Sequence, residues 1–450
     1  MSANNDAAVL PEPAALLPAT DWAALAHAYG PADGTPDDLL GLLHDDPEVQ
    51  AESLGRLEMS VLHQGSLYSA TAPAALFVAG ILGDPRTLAV HESYFSWDDR
   101  VRPLRAALLE WLGELADSAA YEEDEAEEDA EEDAEDDEDW AEEIAAIEAC
   151  RAVRPQLFGA VVPWLEDADA TVREAALGAV TDLLRAPELA DRVPAAAERL
   201  ERIARAGGDR RERAGALLSL GAWGHDTGGF LADPDPAVRA CAALGTSDSA
   251  AVPALLDALA DPAAADAWFD EPLPQFDGWF RFTLLRGLLD RARHFDEVLP
   301  AALAMVPKYH QHTVDSEWGG GLAGRLVAGV AHRRHGVVEE LAVPGGRRVG
   351  ARRGGDEGAA AHRGPGRRSG RAIGVDERRR RGGAQCAFPT PYAPGRPLTE
   401  AQRAFLEALV GQDACWGTIA NRVAWLRAAG LPTEREPLRD LLAAAPPGSG

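Results

Sequence analysis

The sequence predicts an all-α protein in which paired helices stack one after another into an elongated array. Three observations lead to this prediction. Apolar residues between positions 172 and 184 have the spacing of one helix face, the same helix start recurs further along the chain, and the copies are separated by multiples of about thirty-three residues. A period of this size is typical of solenoids, because each helix pair can bury its apolar face only against its neighbours.

The clearest repeat unit is EDADATVREAALGAVTDLLRA, residues 166–186. Its apolar residues recur at the i, i+3, i+4, i+7 spacing: Val172, Ala175, Ala176, Ala179, Val180, Leu183 and Leu184. We expect Thr171 and Glu174 to form a capping box at the start of this helix. Residues 158–167 have the composition of the end of a preceding helix, so the unit is a helix, an acidic turn and a second helix.

The same pattern recurs in residues 231–244, where Asp235 is the predicted N-cap and Pro236 the first helical residue. Val238-Arg239 then occupies the place of Val172-Arg173, 66 residues earlier. A degenerate copy lies between them at 210–221, and an apolar partner helix follows at 251–261. Nearer the N-terminus, residues 44–57 repeat the Asp-Pro-x-Val start, and residues 98–115 predict a further Val-Arg helix.

These D-x-D-x-x-V-R-x-x-A motifs resemble HEAT repeats, in the short bacterial form also found in phycobilin-lyase-like proteins. The resemblance is clear over residues 158–261 and looser over residues 45–115. It implies a right-handed α-α superhelix in which Val and Ala are buried between neighbouring helices. It also implies that the Arg residues bind Asp residues of adjacent turns, as a ladder along the array, so the Val-Arg pairs are expected to be structural.

Composition divides the chain into six parts. They are a flexible N-terminal tail (1–20), N-terminal HEAT-like repeats (21–118), a disordered acidic insertion (119–143), central HEAT-like repeats (144–335), a disordered Arg/Gly-rich segment (336–396) and a C-terminal helical cap (397–445). In the cap, Thr399 and Gln402 predict a second capping box. A helical cap is expected at the end of an array, because it covers an apolar face that would otherwise be exposed to water.

The acidic run from Glu122 to Asp139 contains 15 acidic residues in 18 positions. Like charges at i and i+4 repel, and the run has no apolar face to bury, so it is predicted to be disordered. It is a solvated tract on this interpretation. Two functional alternatives remain: recruitment of a basic partner, and weak binding of divalent cations by clustered carboxylates.

The Arg/Gly-rich segment has three interpretations. An RNA-binding tail usually interleaves aromatic residues with Arg, but none occurs between His335 and Ala387. A flexible linker rarely carries so many Arg. A shifted reading frame in a GC-rich gene yields mainly Arg, Gly, Ala and Pro, and this interpretation is favoured because the helical pattern stops abruptly near His335 and returns near Pro397. Each interpretation predicts disorder.

Charge and composition restrict the partners. The chain carries a net charge of −31, and about −24 remains outside the acidic run and the Arg-rich segment. Such a surface repels polyphosphate backbones, so nucleic acid is not an expected partner. The sequence has no apolar run long enough to span a membrane, no secretion signal at its start and no paired cysteines, and from these we expect a cytoplasmic protein. We also expect it to be a monomer.

Several polar and aromatic segments are candidate partner contacts. The loop with His63 and Tyr68 interrupts the helical pattern, although a bond across a turn would also explain it. Tryptophans beside acids suit a protein-binding groove, although tryptophan also fills gaps between helices. The candidate residues are His63, Tyr68, Trp97, Asp98, Asp99, Trp268, Asp270, Trp279 and Trp318. The histidines at 310, 312, 332 and 335 match no metal-ligand signature, so no metal or cofactor is expected.

No catalytic motif is present, and the expected function is a non-enzymatic scaffold whose concave face binds another protein, for example a basic one. Neutralisation of a basic toxin is one such role, by analogy alone. The enzyme alternatives are a HEAT-like tetrapyrrole lyase and a HEAT-like DNA glycosylase. The acidic charge argues against the glycosylase, which needs a basic concave face.

Overall fold

The structure is a computed structural model. It describes residues 10–96, 98–129, 138–206, 208–247, 249–276, 279–308, 323–329, 386–416 and 421–444. These residues are mostly helical, as the sequence predicts for an all-α protein. They fall into two compact units, and the chain passes from unit 1 to unit 2 between Gly287 and Leu288.

Unit 1 contains most of the helices and two short antiparallel hairpins. Its helices are α1 (Pro13–Ala19), α2 (Thr35–Gly41), α3 (Pro47–Ser60), α4 (Thr71–Ile81), α5 (Leu104–Asp129), α6 (Glu138–Val161), α7 (Ala170–Leu183), α8 (Val193–Arg205), α9 (Arg210–Ala222), α10 (Pro236–Leu244), α11 (Ala251–Leu259), α12 (Pro262–Asp266) and α13 (Phe280–Arg291), which continues into unit 2. The strands are β1 (Ala26–His27), β2 (Gly30–Pro31), β3 (Val90–Glu92) and β4 (Val101–Pro103).

The predicted helix starts are confirmed where an Asp precedes the first helical residue. Asp46 caps α3 by accepting a hydrogen bond from the Glu48 amide, and Asp235 caps α10 by accepting one from the Ala237 amide. In both helices a proline occupies the first helical position, where its missing N–H removes no helical bond. The Asp-Pro-x-Val pattern is therefore a helix start in both copies.

The predicted capping box at Thr171 is wrong. The N-cap of α7 is Asp169, whose side chain accepts hydrogen bonds from the amides of Thr171 and Val172. Thr171 lies inside the first turn, and Glu174 is paired with Arg211 of α9 instead. Asp is at least as good an N-cap residue as Thr. With Asp169 as its N-cap, α7 has its cap three residues before Val172, just as α10 has Asp235 three residues before Val238.

Helices α5, α7, α9 and α10 pack side by side in chain order. Helix α6 packs against α5 and α7, α8 against α9, and α11 against α10. Helices α9 and α10 approach closely at two glycines: a Cβ added to Gly221 would lie 2.6 Å from the Gly245 Cα atom. This neighbour-on-neighbour packing is what stacked helix pairs require.

Arginines link successive members of this row. Arg105 Nη1 of α5 lies 3.3 Å from Asp167 in the turn before α7, and Arg173 Nη2 of α7 lies 2.6 Å from Glu212 of α9. Arg213 of α9 pairs with Asp233 in the turn before α10. Arg173 and Arg239 also donate to backbone carbonyls of their own turns. Of the first three arginines, only Arg173 belongs to a Val-Arg pair, and its acidic partner Glu212 lies in helix α9 and not in a turn, so the pairs differ from the Arg–Asp ladder that the resemblance implies.

The predicted Val-Arg helix over residues 98–115 begins later than expected. Val101–Pro103 form strand β4, paired with β3 in the register Val90↔Pro103 and His91↔Arg102, and the helix begins at Leu104. The reason is Pro103. In a helix that started at Asp98 it would lie beyond the first turn, where it would lack an amide hydrogen for the helical bond and would clash with the preceding turn, so the helix cannot begin there.

The acidic run is also different from the expected disordered insertion. Helix α5 continues to Asp129 and α6 begins at Glu138, so the backbone is helical at both ends of the run, while residues 130–137 lie outside the described part. Glu and Ala are good helix formers, and extending an existing helix needs no new nucleus. The buried first turns of α5 therefore continue into a segment that could not nucleate a helix alone.

The tail predicted to be flexible contains an ordered part. Residues 13–19 form α1, which packs on α4, and Leu16 and Leu17 are partly buried against the core of unit 1. The indole of Trp22 donates a 3.0 Å hydrogen bond to the Leu17 carbonyl. Burial of these leucines outweighs the low helix propensity of so short a segment.

Unit 2 contains α14 (Phe295–Met305), α15 (Ala323–Ala328), α16 (Glu400–Gly411), α17 (Asn421–Ala428) and α18 (Arg435–Ala444). The capping box of Thr399 and Gln402 is confirmed in both of its hydrogen bonds. Helix α16 packs against α14 and α18, and α15 packs against α17. The rings of Phe295 and Phe405 lie 5.8 Å apart. The predicted helical cap is therefore helical in the structure.

The last part of the segment predicted to be disordered is ordered. The amides of Ala387 and Phe388 each donate a 2.8 Å hydrogen bond, to the carbonyls of Leu326 and Val327 at the end of α15. Both side chains are buried. Terminal helix carbonyls lack intrahelical partners, and this apolar stretch supplies them. The rest of the Arg/Gly-rich segment, residues 336–385, lies outside the described residues.

Candidate functional site

A cavity of about 130 Å³ lies in unit 1, between α3, the β3–β4 hairpin, the first turns of α5 and the chain from Pro272 to Phe276. Its walls are unusually rich in charge for so small a space. The charged and titratable residues that line it are Glu58, His91, Asp98, Arg100, Arg102, Glu110, Glu114 and Glu174. Five of these are carboxylates, so the cavity is acidic.

Four of the lining residues form a closed ion-pair cluster, which we call the charge square: Asp98, Arg100, Arg102 and Glu110. Arg100 lies 2.8 Å from Asp98 and 3.1 Å from Glu110, and Arg102 lies 3.0 Å and 3.2 Å from the same two carboxylates. Burial raises the pKa of Asp98, but the hydrogen bond and charge of Arg100 and the charge of Arg102 outweigh it, and the net pKa is lowered. The charge square is neutral overall.

Glu58 and Glu114 are two further carboxyl groups of the cavity and lie beside the charge square. Burial raises the pKa of Glu58 to about 8, and the repulsion of Glu114 contributes in the same direction. The positive charge of Arg102 opposes both effects without cancelling them. Glu58 is therefore a carboxyl group that is mostly protonated at neutral pH and that would ionise if a cation entered the cavity.

Three lining residues carry buried polar atoms without a hydrogen-bond partner among the described residues: His91 Nδ1, Trp111 Nε1, and Nε and Nη1 of Arg102. Arg102 Nη1 has an ion-pair contact with Asp98, but not along a hydrogen-bond direction. Burial, and then the charge of Arg102, lower the pKa of His91. Since buried polar groups are nearly always satisfied, the unsatisfied ones mark these walls as more than packing.

Local sequence rules explain how the walls are placed. Side chains alternate across a strand, so His91 and Arg102 point inward while Val90, Glu92 and Val101 point outward. Glu110 and Glu114 are four residues apart and share one face of α5. Gly55 lets the Tyr94 ring lie directly on α3, because a Cβ there would come within 2.4 Å of the ring.

The far wall is held by Arg211 and by aromatic packing. Arg211 donates hydrogen bonds of 2.5 and 2.8 Å to the two carboxylate oxygens of Glu174. It donates a third, of 2.6 Å, to the backbone carbonyl of Glu271. Behind the wall, the rings of Phe276 and Phe280 stack at 4.4 Å. The segment from Pro272 to Pro274 is therefore fixed against α7 and α9.

Of the candidate residues on acidic and aromatic segments, the structure brings Asp98 into the cavity. Asp99 is exposed and does not line it. Trp268 and Asp270 precede the far wall: Trp268 is half-buried, with its ring 6.2 Å from Phe280, and Asp270 is exposed. Trp279 is 52% exposed, with the Arg281 guanidinium 4.7 Å above its ring. Trp97 and Trp318 lie outside the described residues.

His63 and Tyr68 lie apart from the cavity. Both are half-buried, and the His63 ring is 5.5 Å from the ring of Tyr29, which is 65% exposed. Burial raises the pKa of Tyr68, against a hydrogen bond with Ser66 that lowers it. Tyr29 is a neighbour of both residues, because it also contributes to the raised pKa of Tyr68.

Sequence reasoning missed Glu58, His91, Arg102, Glu110 and Glu114. The i, i+4 spacing of the last two on a predicted helix was a usable signal. Strand alternation could have paired His91 with Arg102 only if the hairpin had been recognised. Glu58 lies on α3, which packs beside α5 and β3. Nothing local in its sequence indicates that contact.

Within the described ranges, no group of three or more His, Cys, Asp or Glu is arranged to hold a metal ion. The histidines at 310, 312, 332 and 335 lie outside those ranges. The four cysteines, all of them described, are buried and form no disulfide. Among the described helices, none is long and apolar enough to cross a membrane.

Comparison with known proteins adds no identification. No protein-family model matches the chain, and neither a curated protein nor a solved structure matches it. The resemblance to HEAT repeats is therefore an expectation from the residue motifs.

Proposed function

We propose that this protein is a HEAT-like, non-enzymatic scaffold that binds another protein, and that the partner presents a basic segment. The helices of unit 1 would form a right-handed α-α superhelix with the acidic cavity, as its binding surface, at its N-terminal end. The scaffold positions the surface, since rigid arrays commonly serve recognition. The partner's charge follows from the site.

The observation that carries the proposal is the acidic cavity with an exposed aromatic side chain at its edge. Tyr94 lines the cavity and is 54% exposed, and the neighbouring hairpin exposes Val90 (55%) and Val101 (62%). Aromatic and apolar anchors with polar groups around them are the usual composition of a protein-recognition site. A basic segment with apolar neighbours is complementary to both features.

The size of the cavity favours a side chain over a cofactor. Pockets for drug-sized ligands and cofactors usually have volumes of about 300–1,000 Å³. The cavity has about 130 Å³. A tetrapyrrole or an extruded nucleotide is too large for it, so the site favours the scaffold over the lyase and glycosylase alternatives.

Short synthetic peptides that alternate Arg with Leu or Val test the proposal, measured by fluorescence anisotropy on the full chain. We expect them to bind, and counterparts with Glu in place of Arg not to bind. Binding should weaken with added salt, because salt screens the charges. Tyr94→Ala and Val101→Arg should each reduce affinity about tenfold, the loss expected for a contact at the centre of an interface.

Leu40→Arg is the matched control. Leu40 is 52% exposed on α2 and does not line the cavity, so the variant adds the same charge on another surface. It should bind the basic peptides as the wild type does. Equal binding of basic and acidic peptides, or binding of duplex DNA at physiological salt, would contradict the proposal.

A further inference from the structure

We propose that the outer edge of strand β3 accepts an extended segment of the partner as a third strand, with a basic side chain beside Glu92 and an apolar one beside Val90. This inference rests on the proposed function and specifies the conformation and the sequence pattern of the bound segment. A strand added in this way derives its affinity from main-chain hydrogen bonds and its specificity from alternate side chains.

The backbone groups of Val90 and Glu92 face away from β4. The Leu104 amide donates a 2.9 Å hydrogen bond to the Ala89 carbonyl, so these two residues are a hydrogen-bonded pair of the ladder. Such pairs alternate in an antiparallel ladder, and the register therefore makes His91 the next hydrogen-bonded residue of β3. The amides and carbonyls of Val90 and Glu92 point to the outer edge, and among the described residues they have no hydrogen-bond partner there.

The outer edge of β4 cannot pair in the same way. Pro103 has no amide hydrogen, and the register places the missing donor on the outer edge of that strand. Strand β4 lies beside α5 and α7, whereas β3 lies beside α3, which meets the inward-pointing His91 across the cavity. Proline at an edge is a common protection of native sheets against added strands, and β3 contains none. The hairpin therefore has one edge that is suited to a third strand.

Side chains along β3 and its flanks alternate between exposed and buried. Leu88, Val90 and Tyr94 are each more than half exposed, and Glu92 between them is exposed as well, whereas His91 is buried. Neighbouring apolar side chains in contact with water are typical of interaction sites. An added strand would lie beside this row and would cover its apolar members in part.

Charge favours a basic segment over a second copy of this chain. Glu92 forms no ion pair with a described residue, so its carboxylate is available to a cation. Edge-to-edge pairing of two copies would bring together two chains that each carry a net charge of −31. In an antiparallel third strand, the residues opposite Glu92 and Val90 are two positions apart and lie on the same face. The matching pattern is Arg-x-Leu, with Arg opposite Glu92.

The first test uses the wild-type chain and an Arg-x-Leu peptide in which threonine separates and flanks Arg and Leu. One version carries N-methyl groups on Arg and Leu, whose amides would face β3, and a matched version carries them on the two threonines that follow, whose amides would face away. We expect methylation of Arg and Leu to weaken binding about tenfold or more, because edge hydrogen bonds are lost. Methylation of the threonines should leave binding nearly unchanged. Fluorescence anisotropy measures both.

Variants at Val90 test the same hydrogen bonds from the protein. Val90→Pro removes one edge amide, and Val90→Ala shortens the side chain but keeps that amide. We expect Val90→Pro to bind the unmethylated peptide about tenfold more weakly than Val90→Ala does. The Val90 amide takes no part in the ladder with β4, so proline is compatible with the hairpin. Circular dichroism checks that both variants are folded.

A charge reversal tests the register. Glu92→Lys should weaken binding of the Arg-x-Leu peptide about fivefold, since an exposed pair is replaced by two like charges. The same variant should bind a Glu-x-Leu peptide that the wild type does not bind. Glu198→Lys is the matched control, because Glu198 is exposed on α8 and does not line the cavity. It should bind the Arg-x-Leu peptide as the wild type does.

The proposal is overturned if the two methylated peptides bind alike, if Val90→Pro binds like Val90→Ala, or if Glu92→Lys does not bind the Glu-x-Leu peptide. It is also overturned if sedimentation shows a dimer that Val90→Pro disrupts, because the edge would then pair two copies of the chain. These outcomes leave the proposed function intact provided that basic peptides still bind and still lose affinity in Tyr94→Ala. If no basic peptide binds at all, the proposed function itself fails.

Discussion

The dipeptide Val-Arg occurs in two regions of unit 1 with opposite structural outcomes. In α7 and α10, Val172 and Val238 are completely buried, and Arg173 and Arg239 donate to carbonyls of their own turns. In the hairpin, Val101 is 62% exposed and its neighbour Arg102 is 9% exposed, within the charge square.

The two regions share more than the dipeptide. An Asp lies three residues before each Val: Asp169, Asp235 and Asp98. What differs is Pro103, directly after the hairpin copy, which prevents the helix from starting at Asp98. Asp98 is therefore available to bind Arg100 and Arg102. A single proline therefore distinguishes the copy that forms part of a candidate binding site from the two copies that start helices.

The largest expected effect lies in the charged region. Because the folded pKa of Glu58 is raised from 4.5 to about 8, its contribution to stability is complete below about pH 4.5 and is lost as pH rises through about 8. Above pH 8 the ionised group should destabilise the fold by on the order of a few kcal/mol. Glu58→Gln should remove this loss. Urea denaturation from pH 5 to pH 9 measures it.

The control for this measurement is Glu52→Gln, at an exposed residue of the same helix that pairs with Arg56, and it should keep the wild-type pH dependence. If wild type and Glu58→Gln lose stability in parallel between pH 5 and pH 9, Glu58 is not the titrating group. The stability of the region around the charge square would then depend on burial more than on the charge of Glu58, as the stability of the repeat helices does.

The second prediction compares the valines directly. Val172→Ala removes buried methyl groups from the α7 packing and should destabilise the protein by roughly 2 kcal/mol. Val101→Ala removes exposed methyl groups and should change stability by less than about 0.5 kcal/mol. Thermal denaturation of both variants measures the difference. Similar losses would show that Val101 is buried in solution.

The smallest expected effect concerns the helix cap. Asp169→Ala removes the side chain that accepts from the Thr171 and Val172 amides and should cost about 1 kcal/mol. Thr171→Ala leaves that cap in place and should be nearly neutral. Chemical denaturation distinguishes the two. A larger loss in Thr171→Ala would restore the capping box that the sequence predicted.

Much of the fold could be predicted because its signals are local. The starts of α3 and α10 follow from Asp-Pro, the buried face of α7 from apolar spacing, and the start of α16 from Thr399 and Gln402. These rules compare residues within a few positions of each other. The segments that departed from prediction, such as α1 and Ala387-Phe388, are ordered by contacts that are distant in sequence.

The candidate site could be predicted only in part. Asp98 was singled out for its neighbouring tryptophan, although its carboxylate binds Arg100 and Arg102 instead. Sequence alone placed His63 and Tyr68 among the same candidates, and the structure separates them from the cavity. Residue type indicated what could bind a partner, but not which residues lie together.

By itself, the sequence determined the helical class, the repeated helix starts and the acidic charge, because periodicity, capping and composition act locally or as sums. The tertiary structure decided that Glu58 of α3 faces Glu114 of α5 beside the charge square. That contact raises the pKa of Glu58, since burial and a like charge act only when distant segments meet. The position of Glu58 in the cavity therefore depends on packing.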